Sequence, residues 1–135
     1  MRWSGLHTDV VWSLALDPLG KHVASAGSDG EVILWDMETG KPIRKMEEDT
    51  TMVAIAFSPD GNRLASVGIA GENLPTDARI TSSEVILWDV ATGRRLLALP
   101  LEQRIVTGVA FSPDGKRIAT AGSDHLIRIQ TVSPP

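Results

Sequence analysis

An all-β fold made of three repeated units is what this sequence predicts, and three observations carry the prediction. The stretch "SDGEVILWD", Ser28 to Asp36, returns as "SSEVILWD", Ser82 to Asp89. A proline–glycine turn occurs three times, as "DPLG" at Asp17 to Gly20 and "SPDG" at Ser58 to Gly61 and Ser112 to Gly115. Pro18 and Pro59 lie 41 positions apart and Pro59 and Pro113 lie 54 apart, a mismatch that an insertion of 12 residues between Ile69 and Ser83 removes, leaving a period of 41 to 42.

Each unit accommodates four short strands. Strand a is Val11 to Leu16, matched by Met52 to Phe57 and Val106 to Phe111. The Pro-x-Gly turn follows, with proline presetting φ at the first corner and glycine accepting a positive φ at the exit. Strand b is Val23 to Gly27, Leu64 to Gly68 and Ile118 to Gly122. Strand c contains Val32 to Trp35 and its copy Val85 to Trp88, short β-branched and aromatic runs fenced by turn residues, as expected of strands covered on both faces. Too short and too continuous for a helical face, these runs do not read as helix. Strand d is poorer, around Ile43 to Met46 and Leu96 to Leu99, and unit three ends after strand c.

Strand a also alternates in size. Ser13 and Ala15 recur as Ala54 and Ala56, then Gly108 and Ala110, whereas Leu14 and Leu16 recur as Ile55 and Phe57, then Val109 and Phe111. A sheet whose innermost strand is crowded against neighbouring sheets near a common axis needs such a small face and a large face.

The totals bound the rest. The 135 residues, 42% hydrophobic and 22% charged, suit one soluble globular domain spanning the chain. A net charge of −4 and no basic run longer than Arg94-Arg95 argue against a sequence-independent grip on nucleic acid. No apolar run is long enough to span a bilayer, so no membrane is expected and a cytoplasmic location is the default. The absence of cysteine removes disulfides, thiolate metal sites and thiol catalysis.

On these residues the chain resembles the WD-repeat family of β-propellers. The resemblance rests on the Trp35-Asp36 and Trp88-Asp89 pairs, the three Pro-x-Gly turns, "ASAGSDG" at Ala24 to Gly30, "TAGSD" at Thr120 to Asp124, and the period, and it covers about Leu6 to Val132. It implies a propeller segment of three four-stranded antiparallel blades: blade one about 7–47, blade two about 48–101 with an inserted loop at 69–83, and blade three about 102–133. Unit three departs from the pattern with Gln130-Thr131 in place of Trp-Asp. The family's Gly-His pair survives only as Leu6-His7, with Glu48 and Glu102 at the other histidine positions.

His7, Ser25 and Asp29 have the residue types of a hydrolase triad. The resemblance instead implies a buried hydrogen-bond chain with Trp35, in which Asp29 orients His7 and Ser25 links to the indole N–H; such a network specifies packing because buried polar groups are costly unless paired. No catalytic, cofactor or metal residues are assigned. His7, His22 and His125 fall in unlike phases of the repeat, and no phosphate-cradling glycine motif is present.

In a four-stranded meander the d-to-a and b-to-c loops emerge at one end. That end gathers the insertion, which reads as a solvated loop, the acidic run Glu47-Glu48-Asp49 and the Glu102-Gln103-Arg104 loop. The family's ligand-facing positions match Val10, Trp12 and Ser28 in unit one, Thr51 and Val53 in unit two, and Ile105, Thr107 and Ser123 in unit three. Trp12 is the expected anchor for a protein or peptide partner; the competing reading packs it on a neighbouring blade. The chain therefore reads as a non-enzymatic interaction scaffold, with a propeller hydrolase or lyase as the alternative from another class.

Closure is the remaining question. Propellers hold four to eight blades, and an uncovered apolar blade face exceeds what a monomer tolerates. Leu14, Leu16 and Val32 at one end, and Ile127 and Ile129 at the other, are as apolar as their middle counterparts. The expectation is a homo-oligomer, most simply two chains giving six blades, with Met1 to Leu6 as a closing strand; the rival is that the chain is a piece of a longer propeller.

Overall fold

The computed structural model describes residues 7–48, 50–72, 79–101 and 106–132. These form three antiparallel sheets of consecutive strands. The first contains β1 (Val11–Leu16), β2 (His22–Gly27), β3 (Glu31–Asp36) and β4 (Pro42–Glu47); the second contains β5 (Thr51–Phe57), β6 (Arg63–Glu72), β7 (Arg79–Asp89) and β8 (Arg95–Leu101). The third has three strands among the described residues, β9 (Val106–Phe111), β10 (Arg117–Gly122) and β11 (Ile127–Thr131). Met1 to Leu6, the expected closing strand, lies outside the described residues.

The sheets stack as blades around a shared inner edge. β5 contacts β1 on one side and β9 on the other, so the innermost strands lie next to one another. One apolar cluster, including Ala24, Val32, Leu34, Ile55, Phe57 and Trp88, fills the space between the first and second sheets. Another, including Ala54, Ala65, Val85, Leu87, Val106 and Ile118, fills the space between the second and third. The size alternation of strand a decides which side chain goes where. The small face, Ser13 and Ala15 of blade one or Ala54 of blade two, meets the next sheet, and the large face, Ile55 and Phe57 of blade two or Val109 and Phe111 of blade three, meets the preceding one.

Two expectations need correction. Val32 does not belong to the open face of blade one. With Leu34 it is buried against the second sheet, because the period of two along β3 leaves Ile33 and Trp35 for the opposite face. The insertion is not simply a solvated loop: β6 continues to Glu72 and β7 begins at Arg79, with Ile69 opposite Ser83, Ala70 opposite Ser82 and Glu72 opposite Arg79. Residues inserted at a b-to-c connection extend the existing ladder, which satisfies their backbone groups at once. Its tip, residues 73–78, lies outside the described residues.

The loops at one end interlock. Glu48 N–H donates to Gly30 O at 2.9 Å, joining the d-to-a and b-to-c connections of blade one. Gly30 has φ +77°, and a side chain there would run into the backbone oxygens of Glu48 and Thr50. Glycine is required twice over, by its backbone angle and by the close approach. His125 takes the equivalent place in the third blade with φ 66°.

Candidate functional site

Strand a opens on an irregularity that recurs in every blade. Val11 is opposite Gly27 but Ser13 is opposite Ala26, so Trp12 is an extra residue on β1. Met52 is opposite Gly68 but Ala54 is opposite Val67, which makes Val53 the extra residue on β5. Val106 is opposite Gly122 but Gly108 is opposite Ala121, which does the same for Thr107 on β9. A bulge of this kind lifts one side chain out of the alternation and re-aims it, and bulges gather beside functional sites.

The consequence shows in exposure. Met52 and Val106, one step earlier, are fully buried, whereas Trp12 and Thr107 are exposed and Val53 is half-buried with part of its side chain on the second cluster. Because β1, β5 and β9 are neighbours, the three residues form an arc at the inner rim of one end. The Trp12 indole N–H donates to Ser28 Oγ at 2.5 Å, and Ser28 N–H donates to Val10 O at 2.9 Å. Val10, Trp12 and Ser28 thus form one hydrogen-bonded unit, with Val10 and Trp12 largely open to solvent. Thr51 is half-buried beside Val53, Ser123 is exposed, and Thr107 Oγ1 donates to Ala121 O over a long 3.4 Å. Ile105 lies outside the described residues.

Charge at this end is more balanced than the run of acids suggests. Glu48 Oε1 sits 2.6 Å from Arg95 Nη1 of the next blade, and Glu47 lies 3.8 Å from Lys45, whose ammonium is closer to Glu31 at 2.8 Å. The Glu31 partner is the main reason that the Lys45 amine is held above its usual range. Asp49 and the Glu102-Gln103-Arg104 loop fall outside the described residues.

His7, Ser25, Asp29 and Trp35 come together on the outer face of blade one. Asp29 Oδ2 accepts from His7 Nδ1 at 2.9 Å and from Thr8 N–H at 3.0 Å, and Asp29 Oδ1 accepts from Glu31 N–H at 3.1 Å. Burial pushes the Asp29 carboxyl upward, but the His7 bond and the two backbone N–H donors outweigh it and hold the group below the ordinary carboxylate range. His7 Nε2 lies 2.7 Å from Ser25 Oγ, which also accepts from Trp35 Nε1 at 2.9 Å. These distances would suit a triad, yet the Ser25 hydroxyl is buried and held from both sides. In blade two the chain shortens to Trp88 Nε1 donating to Ser66 Oγ at 2.8 Å.

A carboxylate–imidazole group of His7, Asp29 and Glu31 is close enough to enclose a cation. His7 Nε2 is already engaged by Ser25, Asp29 Oδ2 by His7 and Thr8, and Glu31 Oε1 by the Lys45 ammonium, whereas Glu31 Oε2 is buried without a hydrogen-bond partner. No helix among the described residues is long and apolar enough to cross a membrane.

The family resemblance identifies the positions in the arc but not the bulge that unites them. A Trp, a Val and a Thr share no chemistry, and only strand register shows their common geometry.

Comparison with known proteins agrees with the stacked sheets. The chain is 28% identical over 140 residues to Protein HIR1 of Candida albicans, covering 91% of this chain and 14% of that protein. It is 29% identical over 129 residues to the small ribosomal subunit protein RACK1 of the same organism, covering 96% of this chain and 39% of that one. A subunit of chromatin assembly factor 1 from Gallus gallus is 25% identical over 145 residues, with 91% of this chain and 24% of the relative aligned. The chain therefore spans well under half the length of each of these relatives. The family description "WD domain, G-beta repeat" matches residues 5–36, 40–72 and 96–129, and the chain belongs to that family.

Proposed function

We propose that this chain is a non-enzymatic protein-interaction scaffold that presents the bulged rim, Trp12, Val53 and Thr107 with Val10, Ser28, Thr51 and Ser123, to a peptide or protein. The observation that carries the reading is the threefold bulge, which spends three ladder positions to aim three unlike side chains at one rim. Trp12 is the anchor: an exposed indole fixed by Ser28 offers a large apolar surface with little freedom left to lose on binding. Two relatives are named as parts of larger assemblies, a ribosomal subunit and a chromatin assembly factor, and a role in holding proteins together is in keeping with them.

Affinity capture from native lysate with the wild-type chain beside Trp12→Ala tests this, with Thr39→Ala at the opposite end as control. Specific capture that Trp12→Ala abolishes and Thr39→Ala leaves intact is the expected result; equal capture by all three sinks the assignment. Reversal of Glu47 and Glu48 is expected to matter less, because Arg95 already answers Glu48.

A second reading is that the chain forms part of a longer propeller, favoured by the small share of each relative that it spans. The hydrolase reading is disfavoured by the double anchoring of Ser25, and an ester-hydrolysis assay on wild type and Ser25→Ala checks it. Turnover lost in a folded Ser25→Ala variant would overturn the non-enzymatic assignment.

A further inference from the structure

We propose that the groove between blades one and two, at the end opposite the bulged rim, is a binding site for an arginine side chain of a partner protein. The claim goes beyond the rim's role and does not depend on what the rim binds.

The next interface shows what such a groove holds. Between blades two and three, Arg63 at the start of β6 crosses to the third sheet. Its Nη2 donates to Gly115 O at 2.9 Å, its Nη1 donates to Val132 O at 3.3 Å, and the guanidinium lies 5.9 Å from the Phe111 ring centre. One planar fork thus ties a Pro-x-Gly turn to the end of strand c, which a lysine ammonium, a single point of charge, does not reproduce.

Blade one has no such arm. His22 stands opposite Asp36 in the ladder as Arg63 stands opposite Asp89, so the two hold the same repeat position. Their targets correspond as well. Gly61 closes the second Pro-x-Gly turn as Gly115 closes the third, and Val90 N–H donates to Asn62 O at 3.0 Å as Val132 N–H donates to Lys116 O at 2.8 Å. The His22 ring bonds to neither target. Among the described residues no group donates to Gly61 O or Val90 O, and a groove of about 270 Å³ is left where Arg63 fills the next interface.

This groove has the chemistry of a cation acceptor. Asp17 lines it with a carboxylate whose side chain is 2% exposed. Oδ1 accepts the Leu19 N–H at 2.9 Å and lies against Gly61, where a Cβ would come within 2.7 Å of it. Among the described residues Oδ2 has only the His22 ring, whose Nδ1 is 3.3 Å away without hydrogen-bond geometry. A buried carboxylate is costly unless a cation pairs with it. The repeat places Ser58 and Ser112 at this position in the other two blades, so blade one alone of the three sets a buried acid beside a shortened arm. Leu34, Ile43 and Val90 offer an apolar wall to the methylene stem of an incoming arginine. Lys21 and Arg44 flank the groove; Lys21 is exposed, and the Arg44 guanidinium is already engaged by Ala91 O at 2.7 Å and Thr92 O at 3.2 Å. A guanidinium entering here meets two open carbonyls, as Arg63 does, and the Asp17 carboxylate besides.

The test titrates the 135-residue chain with N-acetyl-arginine amide and follows backbone amides by heteronuclear NMR. Saturable shifts centred on residues 19–22, 61–62 and 90–91 are expected, with a dissociation constant in the millimolar range, the strength of a single charged side chain. N-acetyl-citrulline amide, the neutral isostere, should bind about tenfold more weakly or not at all, and Trp12→Ala should change nothing. His22→Arg supplies the arm in cis, so it is expected to abolish the shifts while raising the melting temperature. Asp17→Asn keeps an acceptor for the Leu19 N–H but removes the charge; it should weaken binding about tenfold, a readout that stands should His22→Arg not fold. No saturable shift, an equal response to citrulline, or a response left intact by either folded variant overturns the proposal. So does a response at the groove to N-acetyl-aspartate amide instead, which would give Lys21 and Arg44 an acidic partner.

Discussion

The middle blade and its neighbours are built from nearly the same strands but meet different surroundings. Ile55 and Phe57 on β5 are 6% and 8% exposed; Leu14 and Leu16, their equivalents on β1, are 67% and 65% exposed. On strand c, Val32 and Leu34 are 0% and 2% exposed, whereas Ile127 and Ile129 at the same positions of blade three are 73% and 64% exposed. The repeat fixes the direction in which a side chain points. For these residues a neighbouring sheet decides whether the side chain is dry, whereas Val23, Ile33 and Trp35, on the face of blade one turned away from blade two, are buried in a cluster of their own.

The strongest test of that contrast is a pair of truncations at one repeat position. Phe57→Ala is expected to cost about 3–5 kcal/mol, the transfer term plus the cavity. Leu16→Ala is expected to stay within about 1 kcal/mol when denaturant unfolding is measured at concentrations too low for self-association. Similar costs would mean that blade one's outer face is covered within the chain itself. A Leu16→Ala penalty that grows with protein concentration would instead locate the cover on a second copy.

Next in size is the contrast between the full and the shortened polar chains. Ser25→Ala leaves both His7 and the Trp35 indole without their shared partner and should cost about 1–3 kcal/mol. Ser66→Ala unpairs one indole N–H and should cost less. Thermal melts of the two variants side by side would reverse this ranking if blade one's network were peripheral to stability.

Acid sharpens the same comparison. The Asp29 carboxyl titrates lower in the folded chain than its ordinary value of 3.8, so on acidification the unfolded chain takes up this proton first. Its stabilising contribution is therefore complete above about 3.8 and fades as pH falls through the folded value. Asp29→Asn should flatten that part of a stability-versus-pH curve, and an unchanged slope would show that the His7 and backbone bonds do not hold the ionised form.

The smallest effect belongs to the ion pair joining blade one to blade two. Glu48 and Arg95 are partly open to water, so Arg95→Ala is expected to change stability by about 1 kcal/mol or less, with the difference shrinking in high salt. A larger, salt-independent loss would make this pair a structural link between the blades.

Much of the fold is legible in the residues alone. Strand a of blades one and three and the core of every other strand follow from the spacing of Pro-x-Gly turns and short apolar runs, because turn chemistry and period-two burial are local. Val32 escapes that reading because which face of β3 meets the next sheet is a matter of packing. The insertion reads as loop because its residues carry no clean alternation, whereas the ladder of β6 and β7 extends by backbone pairing that any residue other than proline can join. The positions of the rim are legible through the family resemblance, but the bulge that re-aims Trp12, Val53 and Thr107 is not.

The sequence by itself determined three antiparallel units and the small and large sides of their inner strands, since each of these depends on side-chain size or alternation at a repeated position, while the residues of the His7–Ser25–Trp35 chain were implied by the family resemblance. Only the tertiary structure decided which of those sides are covered, which strand residue is lifted from its ladder, and which acid finds a base. Such outcomes depend on what lies across an interface, and residues that meet there are separated in the chain by a whole repeat.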